Sequence, residues 1–293
     1  MKSFRASIRL TFFFFVTIFS MTNGLAFSAP SSVAKPNFKT DNKKFLVVID
    51  PGHGGQDTGA VYRENGTVLS EKTLTLLIAR DLARELIIRG QDVILTRNDD
   101  REVLLSNRTA IANKLKADVF ISIHLNSSNE KIKSGGVETF ILNHATDETS
   151  KRLADLENSV LKDSQASANG SMGGSDVSLI MKDLILDGTQ KPSKELACSV
   201  QERIKNASRD RGVKQALFYV LLGADMPSIL IEAGFMNSKA DRDRILTVKT
   251  RLALAAQIAS AIDDYRHKKT PKRCQVLSEK LFKRSAEPPR KNI

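Results

Sequence analysis

Cysteine and histidine are both scarce in this chain, two of the first and four of the second among 293 residues. Two cysteines, Cys198 and Cys274, are too few for the disulfide framework of a small secreted scaffold. With no histidine pair beside them, they do not suggest a structural zinc site either. A single bridge tying the tail to the body is permitted in an oxidising compartment. Long apolar runs are missing too: the stretch Leu10–Phe19 is too short for a comfortable membrane span. Internal repeats are absent, and so is any Lys-Thr-Gly of the kind that serves serine-based penicillin-binding sites. Positive charge, finally, is thin in the middle of the chain. Of the net +12, most sits at the two ends.

The ends read separately. Lys2, Arg5 and Arg9 precede the apolar stretch, and small residues follow from Gly24 to Ala29. A basic start, a short apolar centre and a small-residue exit describe a secretory signal over residues 1–29. An uncleaved N-terminal anchor is the alternative. Residues 30–43, with Pro30 and Pro36, read as a linker. From Arg266 onward ten Lys or Arg stand against Glu279 and Glu287. A basic tail over 267–293 can bind nucleic acid or a membrane surface. An exported protein rarely meets nucleic acid, so anionic envelope polymers or lipid headgroups are the expected contacts, and a merely solvated tail is the plain alternative.

Between the ends, 41% hydrophobic residues overall allow an ordinary core. Phe45–Asp50, Val93–Thr96, Asp118–His124, Val137–Leu142, Leu217–Leu221 and Ser228–Glu232 read as strands. Helical spacing marks Glu71–Arg89, Leu105–Lys116, Lys151–Leu161, 193–207 and Asp241–Tyr265. Ser70 suits the N-cap of the first of these helices and Gly90 its end. Strands alternating with helices predict one α/β domain over 44–266, a mostly parallel twisted sheet with helices on both faces. Residues 163–190 break the rhythm, as a functional loop or a disordered segment does.

Four histidines can be sorted by position. His53 follows the strand ending Ile49-Asp50-Pro51 and lies in a glycine-rich turn; His124 closes another strand. Ligands in open α/β sheets gather at the carboxyl ends of strands. Parallel neighbours lie about 5 Å apart, so the two imidazoles can converge. Glu71, opening a helix, can supply a third ligand, which leaves one position for water, the pattern of catalytic zinc. Glu232, after an apolar run, would face the same edge as a general base; a charged strand terminus is the bland alternative. His144, after a strand, reads as solvent-exposed, with a substitute ligand as the alternative, and His267 belongs to the basic tail.

Val48-Ile49-Asp50-Pro51-Gly52-His53-Gly54-Gly55 with Asp57 and Gly59, Ser70-Glu71-Lys72, Phe120–Asn126 and Ile231–Met236 together resemble the zinc-dependent N-acetylmuramoyl-L-alanine amidases, a family of periplasmic cell-division enzymes with sporulation and phage relatives. Thr96-Arg97 and the stretch from Leu105 through Arg108 to Asn113 fit the same pattern. The resemblance spans about residues 44–266. It implies a six-stranded sheet, one zinc held by His53, Glu71 and His124, and Glu232 as catalytic base. It also implies cleavage of the amide between N-acetylmuramic acid and L-alanine of peptidoglycan in the periplasm. Met236-Asn237-Ser238 departs from the commoner order of serine then asparagine.

In the resembling enzymes an inserted helix can cover the zinc until an activator displaces it. Residues 163–190 sit where that insertion occurs, and Asp176, Asp183 or Asp187 is then a candidate zinc contact. Competing readings are a zinc carboxypeptidase or endopeptidase on stem peptides and a non-catalytic wall-binding homologue. Ser159 with Lys162 imitates a fragment of a serine-peptidase site. A monomer is the default expectation.

Overall fold

Val47, Val48 and Ile49 have no solvent exposure, so this run must be covered from both faces of its sheet. In the computed structural model, which describes residues 44–127, 135–159 and 188–269 with Pro271 and Cys274, the run forms strand β1 (Leu46–Pro51). The elements that follow are β2 (Val61–Glu64), β3 (Thr67–Ser70), α1 (Glu71–Ile88), β4 (Asp92–Leu95), α2 (Leu105–Leu115) and β5 (Val119–Asn126). Then come β6 (Val137–Leu142), α3 (Glu148–Glu157), α4 (Gln190–Ile204), β7 (Asp210–Ala216), β8 (Ser228–Phe235), α5 (Lys239–Leu246) and α6 (Val248–Arg266). The expected signal, the linker, residues 163–187 and all but the start of the basic tail lie outside the described residues.

The main sheet has six strands in the order β4-β1-β5-β8-β6-β7. Strands β4, β1, β5 and β8 are parallel, whereas β6 runs against β8 and β7 runs with β6. Side chains alternate across it. Val47, Ile49, Ile121, Ile123, Ile229 and Ile231 pack with apolar residues of α1, α4 and α6. Val48, Phe120 and Leu230 face the other way, onto Ala112 of α2, Leu153 and Ala154 of α3, and Phe218. Each fully buried Ile or Leu contributes roughly 1.5–3 kcal/mol, so both helical layers are fixed on a sheet whose centre is apolar. Polar residues on the strands, Asp50, Ser122, His124, Glu138 and Glu232, are buried near one edge. That edge is where the carboxyl ends of β1, β5 and β8 meet the start of β6.

Three sequence expectations differ from the structure. Leu217–Leu221 is not a strand: Tyr219–Leu221 is a 3-10 turn, and the edge strand is the more polar Asp210–Ala216. The apolar residues there fill the second core layer. The hairpin β2–β3 was not expected, although Asn65-Gly66 carries its signal; both residues have positive φ, as a tight hairpin turn requires. The last helix is two helices bent by 87° at Thr247. Gly90, at φ +79°, ends α1 as expected, with Gln91 N donating to Leu86 O at 3.1 Å. Ser70 takes the N-cap position without a capping bond from its side chain. The first amides of α1 go instead to Ala60 O and Thr58 O.

Cys198 on α4 and Cys274 form a disulfide with Cα atoms 5.4 Å apart, fastening the start of the tail to the body. Among the described residues no single helix is long and apolar enough to cross a membrane.

Candidate metal centre

The loop after β1 departs from ordinary backbone. His53, Gly54 and Gly55 have φ of +61°, +130° and +61°. A left-handed conformation costs a non-glycine residue about 1–2 kcal/mol, so His53 must be held from outside. Two buried arginines do this. Arg108 donates to Asp50 Oδ1 (2.8 Å), Pro51 O (2.9 Å), Val103 O (3.0 Å) and His53 O (3.1 Å). Arg97 donates to Pro51 O (3.0 Å), Gly52 O (2.7 Å) and Lys72 O (2.8 Å). Asp100 accepts from Gly55 N and from Lys72 Nζ, closing the far side of the loop.

The loop delivers His53 beside Glu71 at the start of α1 and His124 in β5. His53 Nε2 lies 3.0 Å from Glu71 Oε1, and His124 Nδ1 lies 3.1 Å from the same oxygen. The two rings are 4.9 Å apart between centroids, so the imidazoles share one side of the sheet. Glu71 is oriented by two backbone donors, Ala60 N onto Oε2 and Leu125 N onto Oε1, each at 3.0 Å. Glycine is needed at two positions. A Cβ at residue 52 would lie 2.4 Å from His124 Nε2, and one at residue 59 would lie 2.5 Å from the His53 ring.

A fourth group joins them. Glu157, the last residue of α3, places Oε2 3.3 Å from His53 Nε2 and 3.2 Å from His124 Nδ1. One ligand atom from each of His53, Glu71, His124 and Glu157 lies within 4.8 Å of the others. Glu157 was not foreseen, since one acidic residue in a polar helix carries no distinguishing pattern. Its position is nonetheless unfavourable for a carboxylate, because the helix C-terminus is already partly negative. Asp176, Asp183 and Asp187, the contacts expected from the insertion, lie outside the described residues.

The chemistry of the set fits a zinc-type cation. Two nitrogens and carboxylate oxygens are its ordinary ligands, and His53 Nε2 is buried without a properly directed hydrogen bond although Glu71 is at ion-pair distance. Asp57 Oδ2 meets His53 Nδ1 at 2.8 Å. A carboxylate there holds the Nδ1 proton, so that Nε2 is the nitrogen that would give up its proton and turn a lone pair to a metal. Burial opposes charge on His53, but Glu71, Glu157 and the Asp57 hydrogen bond outweigh it and raise its pKa to about 10. His124 behaves alike: burial opposes the charge, Glu157 and Glu71 prevail, and its pKa also rises to about 10. Burial would raise the Glu71 pKa, yet the two histidines pull it far below the usual carboxylate range.

Glu232 differs from the expected exposed strand end. It lies within β8, has no solvent exposure, and neither carboxylate oxygen has a hydrogen-bond partner among the described residues. Its register partners are His124 on one side and Glu138 on the other. Burial and the charges of Glu71, Glu157 and Glu138 push its pKa well above the ordinary value. It is therefore a carboxyl with high proton affinity beside the cluster. Glu138 itself is bonded to Asn126 Nδ2 (2.6 Å) and paired with Lys214 (2.8 Å) and Arg211 (3.2 Å).

A cavity of about 300 Å³ opens over His53 and Glu71, with Leu125, Leu156, Glu157 and Ser159 on its walls. The remaining candidates stand apart. His144 follows β6, which runs antiparallel, and is exposed at the opposite edge. His267 caps α6. Ser159 donates its hydroxyl to Leu156 O, and Lys162 lies outside the described residues.

Residues 47–264 match the family described as N-acetylmuramoyl-L-alanine amidase. The chain is 33% identical over 238 residues to the N-acetylmuramoyl-L-alanine amidase AmiA of Escherichia coli K12, covering 80% of each. Its fold is similar to the crystal structure of an N-acetylmuramoyl-L-alanine amidase from Clostridium difficile 630, with a TM-score of 0.58, 31% identity, and coverage of 77% of this chain and 98% of that one. It is also similar to the CwlD amidase from Clostridioides difficile, solved in complex with the GerS lipoprotein, with a TM-score of 0.54, 25% identity, and coverage of 76% and 98%.

Proposed function

Because the chain belongs to the N-acetylmuramoyl-L-alanine amidase family, we propose that it is an exported zinc enzyme with His53, Glu71 and His124 as ligands and Glu232 as proton carrier. Its reaction is hydrolysis of the amide joining N-acetylmuramic acid to the L-alanine of the peptidoglycan stem, as in wall remodelling at division. The observation that carries the metal assignment is the convergence of two imidazole nitrogens and two carboxylate oxygens within 4.8 Å.

When bound, a zinc ion polarises a carbonyl and lets water react near neutral pH. The chain supplies the rest. Asp57 fixes the His53 tautomer, and the two arginines fix the loop. Glu232, whose carboxylate oxygens have no hydrogen-bond partner among the described residues, would be ionised beside a bound cation, accept the proton of the attacking water and return it to the leaving amine of alanine. A non-catalytic wall binder would have no use for that buried carboxylate.

Glu157 gives this reading its regulation. Glu157, the fourth group and second carboxylate of the cluster, would take the position that a catalytic zinc keeps open for water. The described arrangement is accordingly the closed state, and the segment that follows α3, including 163–190, is the regulatory insertion. CwlD is seen with a protein partner, and here a partner would act by drawing α3 and the insertion away from the site. The division of the chain follows: signal 1–29, linker 30–43, catalytic domain 44–266 and basic tail 267–293, the last touching anionic envelope. The buried Cys198–Cys274 bridge supports export to the periplasm, since such bonds persist in oxidising compartments.

The test is digestion of purified sacculi by the zinc-loaded protein with mass spectrometry of the products. Free intact stem peptides with N-terminal L-alanine are expected. Shortened stems still attached to the glycan would replace the amidase by a zinc peptidase, and no release would leave a binding protein.

A further inference from the structure

A second cavity takes no part in the reaction above. It is an open groove of about 730 Å³ between the 96–104 segment and α2. Ile111 and the partly exposed Val103 and Leu104 make an apolar floor, and Arg101 and Lys114 are cations on its rim. Glu102 also lines it, so the lining side chains carry one net positive charge.

The groove adjoins the metal loop. A Cβ on Gly54 would lie 2.2 Å from Arg101 O, and one on Gly55 would lie 2.7 Å from Glu102 N. Backbone that forms the groove's rim is thus in direct packing with the loop that presents His53. Both features lie toward the carboxyl end of parallel strands, the groove beyond β4 and the metal cluster over β1 and β5. A polymer with its scissile amide at the cluster can therefore extend across the 101–102 rim into the groove.

We propose that this groove is a second binding site for the same polymer and takes a neighbouring stem peptide, the one next to that being cut. Resting on the amidase reading, the inference assigns the groove its ligand by chemistry. Stem peptides carry free carboxylates, which suit Arg101 and Lys114, and short aliphatic side chains, which suit the Val103, Leu104 and Ile111 floor. The Arg101 side chain is 57% exposed and its pairing with Asp99 at 3.3 Å is a surface contact. Such a pair is worth little, so the guanidinium is free to exchange Asp99 for a ligand carboxylate.

The site makes hydrolysis of the polymer depend on residues that hydrolysis of a monomer does not use. The test compares wild type with Arg101→Ala/Lys114→Ala and with Ala110→Trp, which fills the groove at an exposed position. Rates are measured on intact sacculi and on a soluble disaccharide-peptide carrying one stem. Sacculus hydrolysis is expected to fall by about fivefold to tenfold in each variant, the loss of one or two carboxylate contacts, with the soluble substrate cut at the wild-type rate. Equal losses on both substrates would trace the effect to the metal loop, and unchanged sacculus hydrolysis would mean the groove binds no part of the polymer; either overturns the proposal. If wild type releases no stem peptide from either substrate, the amidase reading has failed instead.

Discussion

Replacing Arg108 by methionine removes the group that holds the metal loop in its left-handed turn, and its cost can be worked from the contacts. Asp50 and Arg108 are 0% and 3% exposed in their side chains and 2.8 Å apart. Breaking a buried pair by deleting one partner costs about 3–5 kcal/mol, because the other charge is left uncompensated. Asp50 would retain Thr96 and Ser122 as donors. Arg108→Met also strips a donor from Val103 O, Pro51 O and His53 O, at about 1 kcal/mol each where water cannot enter. Asp50→Asn breaks the same pair but leaves those three bonds in place. Arg108→Met is therefore expected to be the more damaging by about 1–3 kcal/mol, and to lower zinc occupancy more. Urea unfolding followed by circular dichroism, with metal content on the same samples, measures both.

The pH dependence sharpens the same experiment. Burial pushes the Asp50 pKa up, but Arg108 and the Thr96 hydrogen bond overcome it and hold it below the ordinary value. A depressed carboxyl stabilises the fold above its unfolded pKa, about 3.9, and that contribution is lost as pH falls through the folded value. Without Arg108 burial prevails and the sign reverses. The raised carboxyl then destabilises as pH rises through its new value, so the penalty of Arg108→Met should shrink on acidification from pH 8 to pH 5. A penalty below about 1 kcal/mol, or Asp50→Asn proving the worse variant, would refute this account of the loop.

Glu232→Ala is expected to keep zinc and lose turnover, whereas His124→Ala loses the metal as well; full occupancy in His124→Ala would remove it from the ligand set. Gly52→Ala should leave the fold but weaken zinc binding by at least about tenfold, because the new methyl meets the His124 ring; equilibrium dialysis with a zinc chromophore reads this directly. Glu157→Gln should raise turnover on sacculi without any partner by roughly tenfold, the effect of relieving about 1.4 kcal/mol of internal competition, and unchanged or lower turnover in a folded protein would reject the closed state. Zinc uptake at pH 7.5 should release close to two protons, since His53 and His124 both have pKa near 10 without metal and must be neutral to ligate. Apparent affinity then falls as pH drops, and calorimetry in buffers of different ionisation enthalpy counts the protons.

The sheet and its buried strands were legible because their signal is local. Val47–Ile49 and Val119–Ile121 are apolar on both faces, and only a covered sheet accommodates that. What failed to show was set by tertiary position. Asp210–Ala216 is polar because it is an edge strand, so its sequence resembles a loop, while Phe218, Val220 and Leu221 are apolar because they fill the core with Leu153 and Ala154 of α3. The break at Thr247 carries no proline or glycine; Ser238 and Arg251 settle the two helices by capping and by a 2.7 Å bond to Asp81.

The site divides along the same line. His53 and Glu71 could be read because they lie just after a strand and at the start of a helix, His124 because it follows an apolar run in β5, and glycines mark where the two rings approach backbone. Glu157 could not, since nothing in Leu156-Glu157-Asn158 distinguishes an exposed helix end from one aimed at a metal. A carboxylate at a helix C-terminus is electrostatically misplaced unless a positive centre lies beyond it, and the two histidines, charged in the absence of metal, are such a centre. In the proposed closed state, that contact is sustained by the same positive charge that a zinc ion would bring. Metal binding alone is then expected not to open the enzyme, and release of Glu157 is expected to require a force applied to α3.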